Sequence, residues 1–483
     1  MLLSKIVDLK KYNLEDCEIN SISKIAEQTK KNDVYFCLTD DKKTAEKRCK
    51  IAHNAGAKIV FSNFEIDGCV RCENVRREFS FACKKFYDSV CDDLKIIGIT
   101  GTNGKTTTSH IIAQILSRNG KNVGVIGTNG VFFNGQKFDY DMTTPDSDVL
   151  HKTFFDMKNG GVEYVVMEVS AHAISQNRID GINFEFGVLT NITQDHLDYF
   201  GTFEKYEKVK LDFISSKYIK NAVVCVDDNC ARKALESCDV KVTTYGIENP
   251  SDCFALDIIC DINGSHFVGN ICDEVVEFKT NLIGKYNVLN SLAALTVCQQ
   301  LGLEKNMLSL GMNFINPVEG RFNVVNLSGC YVVVDYAHTP DGILNVLKTA
   351  RELTDKNVYI MFGCGGNRDK GKRPVMGTIA EKYADYVCLT SDNPRDEEPE
   401  EIIKDIEKGM KKPHFVEISR KLATNKMLNF MQKGDILIIA GKGAEKYQEI
   451  KGQKLPYNDF DVVYQYYKDS IPFKPKGREL YDC

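Results

Sequence analysis

The sequence predicts an α/β protein of three domains, and three observations carry that prediction. At 483 residues the chain exceeds what one hydrophobic core organises, which sets a prior of roughly three domains. From Leu94 onward, buried strands alternate with amphipathic helices, the pattern of a parallel sheet covered on both faces. Polar and glycine-rich clusters fall just after those strands, where open parallel sheets bind ligands.

Residues 1–93 read as a small α/β domain, with strands over 33–38 and 57–61 and a helix over 44–54 between them. No catalytic constellation stands there, so a binding role is expected. Residues 94–317 form the central domain: a strand over 95–99, a helix over 106–119 with Ile111, Ile112, Ile115 and Leu116 on one face, and a strand over 122–126, read as one βαβ unit. Further buried strands follow over 164–169, 186–190 and 222–226. Residues 318–483 supply a third domain, with strands over 331–334, 358–362, 386–389 and 435–439.

A net charge of -5 and a pI near 6.0 argue against nucleic acid as a partner, because phosphate backbones require a basic face. No stretch approaches a membrane span, and charges interrupt the N-terminal apolar residues, so neither membrane insertion nor export is expected. The 18 cysteines are scattered singly through apolar segments, which fits reduced thiols in a cytoplasmic protein. The pair Cys69 and Cys72 has no second pair at zinc-site spacing and reads as packing.

Chemistry concentrates in a few runs. Gly101-Thr102-Asn103-Gly104-Lys105-Thr106-Thr107 joins a strand to a helix start. Glycines there let backbone amides approach phosphate oxygens, Lys105 neutralises the outer phosphates, and Thr106 reaches magnesium. The strict P-loop spacing would place glycine where Ile99 stands, so this is a variant loop. Glu168 ends one strand and the run from Asn191 to Asp198 follows another; oxygen-rich groups beside phosphate suit magnesium better than zinc. His196, taken alone, reads equally well as a structural histidine. The loop 365–374 concentrates positive charge, including Arg368, and Asp392-Asn393-Pro394-Arg395 reads as a turn presenting a guanidinium that can grip a carboxylate with two bonds.

Taken in order, the phosphate loop, Glu168-Val169-Ser170-Ala171-His172, Asp195-His196-Leu197-Asp198, Tyr286-Asn287-Val288-Leu289-Asn290 and Asp335-Tyr336-Ala337-His338-Thr339-Pro340-Asp341 resemble the Mur ligase family. The match runs from about residue 94 to the C-terminus. The resemblance implies an N-terminal UDP-sugar-binding domain, a central P-loop parallel-sheet ATPase domain and a C-terminal Rossmann-like domain that brings the incoming amino acid. It implies ATP and two magnesium ions as cofactors. Lys105 and Thr106 would meet the phosphates and magnesium, with Glu168 and His196 as further metal ligands. Asn287, Arg321 and Asp335 would hold the nucleotide. Lys210 would be carbamoylated to make a magnesium-binding acid, although the residues alone do not choose it over Lys205 or Lys208, which read as solvated helix charges.

Thr143, Thr144, Ser170, Gln176 and Arg178 match positions that hold the sugar nucleotide in that family, and Ser23 is the nearest equivalent of its uridine-pocket serine. Arg368, Asp392, Asn393, Pro394 and Arg395, with Gly441 and Glu445, match the amino-acid pocket. The Asp-Asn-Pro-Arg run goes with meso-diaminopimelate, so the resemblance implies a monomeric ligase of cytoplasmic peptidoglycan precursor synthesis. It would join that amino acid to UDP-N-acetylmuramoyl-L-alanyl-D-glutamate through an acyl phosphate. Two departures stand out: Ala444 replaces the family's histidine, and the uridine signature is reduced to Ile22-Ser23-Lys24. The rival readings are a lysine-adding relative, a folylpolyglutamate synthetase-like ligase and, in another class, a P-loop nucleotide switch.

Overall fold

The computed structural model describes residues 1–140 and 142–470. Among them the strands form a four-stranded, an eleven-stranded and a six-stranded sheet, plus a two-stranded hairpin.

In the N-terminal domain Ile22–Ser23, Val34–Phe36, Ile59–Ser62 and Val70–Arg71 pair in that order, all parallel. The helix Lys42–Asn54 buries Ala45, Cys49 and Ala52 against Tyr35 and Val60 on one face of this sheet. On the other face the helix Val75–Phe86 buries Val75, Phe79 and Cys83 against Val34, Phe36 and Phe61. The alternation of Val34, Tyr35 and Phe36 between the two clusters is the period-two consequence of a strand buried on both sides.

The central sheet is built around Lys95–Thr100, which lies between Tyr164–Glu168 and Phe184–Leu189, all parallel. The helix Lys105–Arg118 therefore does not lead to an adjacent strand: Val123–Gly127 pairs with Tyr164–Glu168, which fills the position between. Ile111, Ile112, Ile115 and Leu116 pack with Val288, Leu292 and Leu295 of the helix Lys285–Gln300 in one core. That second helix is buried nearly all round, which is why its sequence is apolar on every face.

Both flanks of this sheet are antiparallel, which the reading of a purely parallel sheet does not anticipate. Gly130–Phe133 and Gln136–Phe138 extend one side. The meander Cys253–Asp261, Gly264–Ile271 and Glu274–Thr280 extends the other. In the C-terminal domain Cys330–Asp335, Ile436–Ala440, Val358–Phe362, Tyr386–Leu389 and Phe415–Val416 run parallel in that spatial order, with Asn323–Leu327 antiparallel at the edge. Among the described residues no helix is long and apolar enough to cross a membrane.

One charged pair anchors the last helix, Asp459–Ser470, to this third sheet. Arg420 and Asp459 are both fully buried, joined by Nε to Oδ1 at 2.9 Å and Nη2 to Oδ2 at 2.8 Å. Arg420 Nη2 also donates to the Ala440 carbonyl, and the Tyr457 hydroxyl donates to Asp459, each at 2.9 Å. Removing one partner strands the other charge in the core, so Asp459→Ala is expected to lose about 3–5 kcal/mol of stability. Denaturant unfolding of the purified variant checks this; wild-type stability would show that the pair contributes nothing.

Candidate active site

The phosphate loop takes its shape from backbone constraints. Gly101 sits at φ 145° and Gly104 at φ 87°, conformations that disfavour side chains, and a Cβ on Gly101 would overlap the Thr190 hydroxyl. The segment after Phe184–Leu189 braces the loop: Thr102 N donates to the Asn191 carbonyl (2.8 Å), Asn103 N to Asn191 Oδ1 (2.9 Å), and the Thr190 hydroxyl to the Asn103 carbonyl (2.6 Å). No side chain caps the helix that begins at Lys105, so its first amides remain available to an anion. Thr106 and Thr107 are buried in its first turn. Lys105 folds back, donating from Nζ to the carbonyls of Gly101 (2.8 Å) and Thr102 (2.9 Å), and burial lowers its pKa.

Beneath the same loop lies Lys210. It is 1% exposed, and its Nζ donates to the Gly101 carbonyl at 2.6 Å. Lys205 and Lys208 point to solvent, and Lys208 pairs with Asp212. The helix Phe203–Ile214 turns Tyr206, Lys210 and Phe213 inward. Burial pushes the Lys210 ammonium well below its ordinary range, with Lys105 nearby acting in the same direction.

Glu168 is buried at the end of its strand and accepts bonds from the amide (2.8 Å) and hydroxyl (3.1 Å) of Thr128. His196 stands in the left-handed region at φ 55°, and burial pushes its imidazole down to about 3, so it is neutral at physiological pH. Beside it Asp195 is a hub, 3.4 Å from His196 Nε2, 3.2 Å from Lys372 Nζ and 3.7 Å from His338 Nε2. Burial alone would raise the Asp195 carboxyl, but the His338 ring beside it and the charge of Lys372 hold it well below the usual carboxylate range.

From the C-terminal domain, Arg321 donates to the Thr106 hydroxyl at 3.0 Å and stacks over the Tyr336 ring at 4.4 Å. Asp335 accepts the amides of Phe322 (2.7 Å) and Ala337 (2.6 Å), and burial raises its pKa. Asn287, at the head of the buried helix, donates to the Ile283 carbonyl and accepts from Asn290. Thr102, Lys105, Glu168, Asn287, Arg321 and Asp335 line one cavity of about 240 Å³ between the two domains, and His196 and Ser170 also reach it.

The remaining residues fall into two further groups. Thr144 donates to the Glu168 carbonyl (2.8 Å) and accepts from Ser170 N (3.0 Å), while Arg178 donates to the Thr144 carbonyl (2.8 Å) and to Gln176 (2.8 Å). Thr143 and Thr128 share a hydroxyl contact at 3.1 Å. Ser23 lies apart on the N-terminal sheet, accepting from Thr29. Its neighbour Lys24 reaches the central domain, pairing with Asp146 (2.6 Å) and Asp148 (2.7 Å). In the second group, Asn393 donates to Glu445 (2.9 Å) and accepts from Lys442 (2.9 Å). Asp392 lies so close to Gly441, at φ 111°, that a Cβ there would come within 2.6 Å of its Oδ2. Pro394 follows in the same turn, and Arg368 and Arg395 both close on Gly365. Glu445 and Ala444 line a second cleft of about 920 Å³, which shares Thr143, Arg321 and Tyr336 with the smaller cavity. Lys372, His338 and Tyr336 sit at these junctions although the sequence reading gives them no role; their only signal is membership of the basic loop and of the run from Asp335 to Asp341.

This arrangement, a phosphate loop facing a second domain across a cleft, can be compared with known proteins. Residues 99–298 match the Mur ligase middle domain, and residues 320–443 match the Mur ligase glutamate ligase domain. The chain belongs to the Mur ligase family. It is 36% identical over 479 residues to the UDP-N-acetylmuramoyl-L-alanyl-D-glutamate–2,6-diaminopimelate ligase of Clostridium tetani, covering 96% of this chain and 98% of that one. The enzyme of the same name from Halalkalibacterium halodurans is 37% identical over 477 residues, covering 97% and 98%. A solved structure of a ligase with that name superposes with a TM-score of 0.70 at 30% identity, covering 96% of this chain and 99% of that one. As a Mur ligase the chain is an ATP-dependent enzyme that forms amide bonds.

In this Mur ligase, the Lys105 ammonium is hydrogen-bonded to the loop carbonyls of Gly101 and Thr102, outside the hydrophobic core clusters. Lys105→Ala is therefore expected to stay folded yet lose at least ~3 kcal/mol of transition-state stabilisation, roughly a hundredfold in rate. Ligase assays alongside circular dichroism check this; near-wild-type turnover would remove the loop from the chemistry.

Proposed function

We propose that this Mur ligase adds meso-diaminopimelate to UDP-N-acetylmuramoyl-L-alanyl-D-glutamate, using ATP to activate a carboxylate of the dipeptide. The observation that carries the substrate assignment is the Arg395 loop. Asp392-Asn393-Pro394-Arg395 is docked against Glu445, with Arg395 Nε on Glu449 and Nη1 on the Gly366 carbonyl. Diaminopimelate exceeds lysine by one carboxylate, and a planar guanidinium is the group best shaped to hold it.

The phosphates of ATP belong at the amides of residues 101–107, with Lys105 released from its loop carbonyls to meet them. Arg321 and Asp335 close the nucleotide from the C-terminal side, and Asn287 from the central helix. Thr143, Thr144, Ser170, Gln176 and Arg178 position the dipeptide end of the sugar nucleotide, with Ser23 toward its uridine. Arg368, Gly441 and Glu445 complete the amino-acid pocket around Arg395. The dipeptide carboxylate takes the γ-phosphoryl group of ATP and ADP leaves; the amine of diaminopimelate then attacks the acyl phosphate, phosphate departs and the nitrogen loses a proton, so the enzyme forms no covalent intermediate.

Thr106, Glu168 and a modified Lys210 make an oxygen donor set suited to magnesium beside phosphates, while neutral His196 adds a nitrogen. Phosphate oxygens of ATP would complete the coordination of such a set. Bound there, magnesium ions neutralise charge on the transferring phosphoryl group. Lys210 has the property that carbamoylation demands: burial favours its neutral amine, the form that adds carbon dioxide.

ADP release with the UDP-muramoyl dipeptide and a panel of amino acids tests the whole reading; release without that dipeptide, or only with lysine, would reject it. Lys210→Ala is expected to be nearly inactive and to recover in part with a small carboxylic acid in the buffer. An unmodified Lys210 mass in active enzyme prepared with bicarbonate would reject the carbamate. Arg395→Ala leaves a partly desolvated substrate carboxylate unpaired, a loss of about 2–5 kcal/mol. Apparent affinity for diaminopimelate should fall at least roughly thirtyfold while that for ATP barely moves, as titration of each would show.

A further inference from the structure

The hairpin Tyr447–Ile450 with Gln453–Pro456 follows directly on the Gly441 to Glu445 loop. Its first strand docks along the specificity turn residue by residue. Gln448 Nε2 donates to the Asp392 carbonyl at 2.6 Å, and Glu449 N donates to Asn393 Oδ1 at 2.9 Å. Arg395 N donates to the Glu449 carbonyl at 3.1 Å, and Lys451 N donates to the Arg395 carbonyl at 2.7 Å. Arg395 stands at φ 52°, a left-handed conformation uncommon for a residue with a long side chain, and these two main-chain bonds hold it from both sides.

The side chain is held as firmly. Arg395 Nε donates to Glu449 Oε2 at 3.0 Å, and Nη1 to the Gly366 carbonyl at 2.8 Å. Both groups are mostly buried, with side-chain exposures of 21% and 29%. Among the described residues this leaves Nη2 as the guanidinium nitrogen not engaged within the protein. With Nε committed, a bidentate grip on a carboxylate would use Nη2 and the remaining Nη1 hydrogen; it depends on the orientation of the guanidinium plane, and a flexible arginine must give up rotamer freedom to adopt it.

We infer that Glu449 is a positioning residue for diaminopimelate selection, fixing the plane of Arg395 from the hairpin without itself touching substrate. This rests on the reading of Arg395 as the carboxylate-binding group. Glu449 can act by orienting Arg395 through a hydrogen bond or by neutralising its charge, and the two predict opposite results. Loss of orientation weakens carboxylate binding. Loss of neutralisation strengthens it.

The test measures kcat and KM for diaminopimelate and for ATP in full-length Glu449→Ala, Glu449→Gln, Arg395→Ala and the Arg395→Ala, Glu449→Ala double variant. Glu449→Ala is expected to raise KM for diaminopimelate at least about threefold with kcat and KM for ATP unchanged. Glu449→Gln keeps an acceptor for Nε and should restore KM close to the wild-type value. In the Arg395→Ala background, Glu449→Ala should add nothing. An unchanged or lowered diaminopimelate KM in Glu449→Ala would overturn the inference. So would a full additional loss in the double variant, or a parallel loss in kcat and ATP use, which would mark a merely structural role. If Arg395→Ala alone leaves diaminopimelate use unchanged, the parent reading fails and takes the positioning role with it; that outcome is distinguished by a silent Arg395 variant.

Discussion

A carboxylate buried between two domains is costly unless charge and hydrogen-bonding groups meet it, and Asp195 is met across the domain boundary by Lys372. Asp195 comes from the central domain, whereas Lys372, the first residue of the helix Lys372–Tyr383, and His338, in the loop after Cys330–Asp335, come from the C-terminal one. Both stand within 4 Å of that carboxylate, beside the cavity lined by Lys105 and Arg321. Arg321 joins the two domains again through the Thr106 hydroxyl, and Asn103 does so through Asp341 at 2.9 Å. The site is thus assembled by domain contact, and neither sheet contains it alone.

Much of this was legible in the amino-acid order. Residues 358–362 and 386–389 are short apolar runs bounded by turns, and their strands match the expectation residue for residue. The flanking strands carry a weaker signal, because polar and apolar residues are mixed along them instead of forming the continuous apolar runs of the central strands. One turn was there to read, since Asn134-Gly135 is the residue pair that a two-residue hairpin favours; Cys272 and Asp273 adopt the same paired positive φ, 49° and 70°, with no such residues to announce it. The adjacency of Tyr164–Glu168 to the first strand was beyond reach, since strand order depends on which faces the helices cover and not on local pattern.

For the site, sequence motifs found residues on loops but could not assign their partners. Lys210 could have been separated from Lys205 and Lys208 by noticing that Tyr206, Lys210 and Phe213 recur at helical spacing, with the apolar members marking the buried face. Lys372 and Glu449 offered no such mark. Their importance lies in contacts with residues 177 and 54 positions away, and such contacts belong to the fold.

Among the described residues the antiparallel meander leaves Glu274–Thr280 as the last strand of the eleven-stranded sheet, an edge at which a strand from another molecule could pair. Glu274, Glu277 and Lys279 are exposed along it, although Val275 is 68% exposed among them. A second chain approaching this edge would have to bury those charges, so the sheet can end in water without seeding aggregation. Exchanging Glu277 for an apolar residue would take away that protection while leaving every catalytic contact in place, and would turn a question of chemistry into one of solubility.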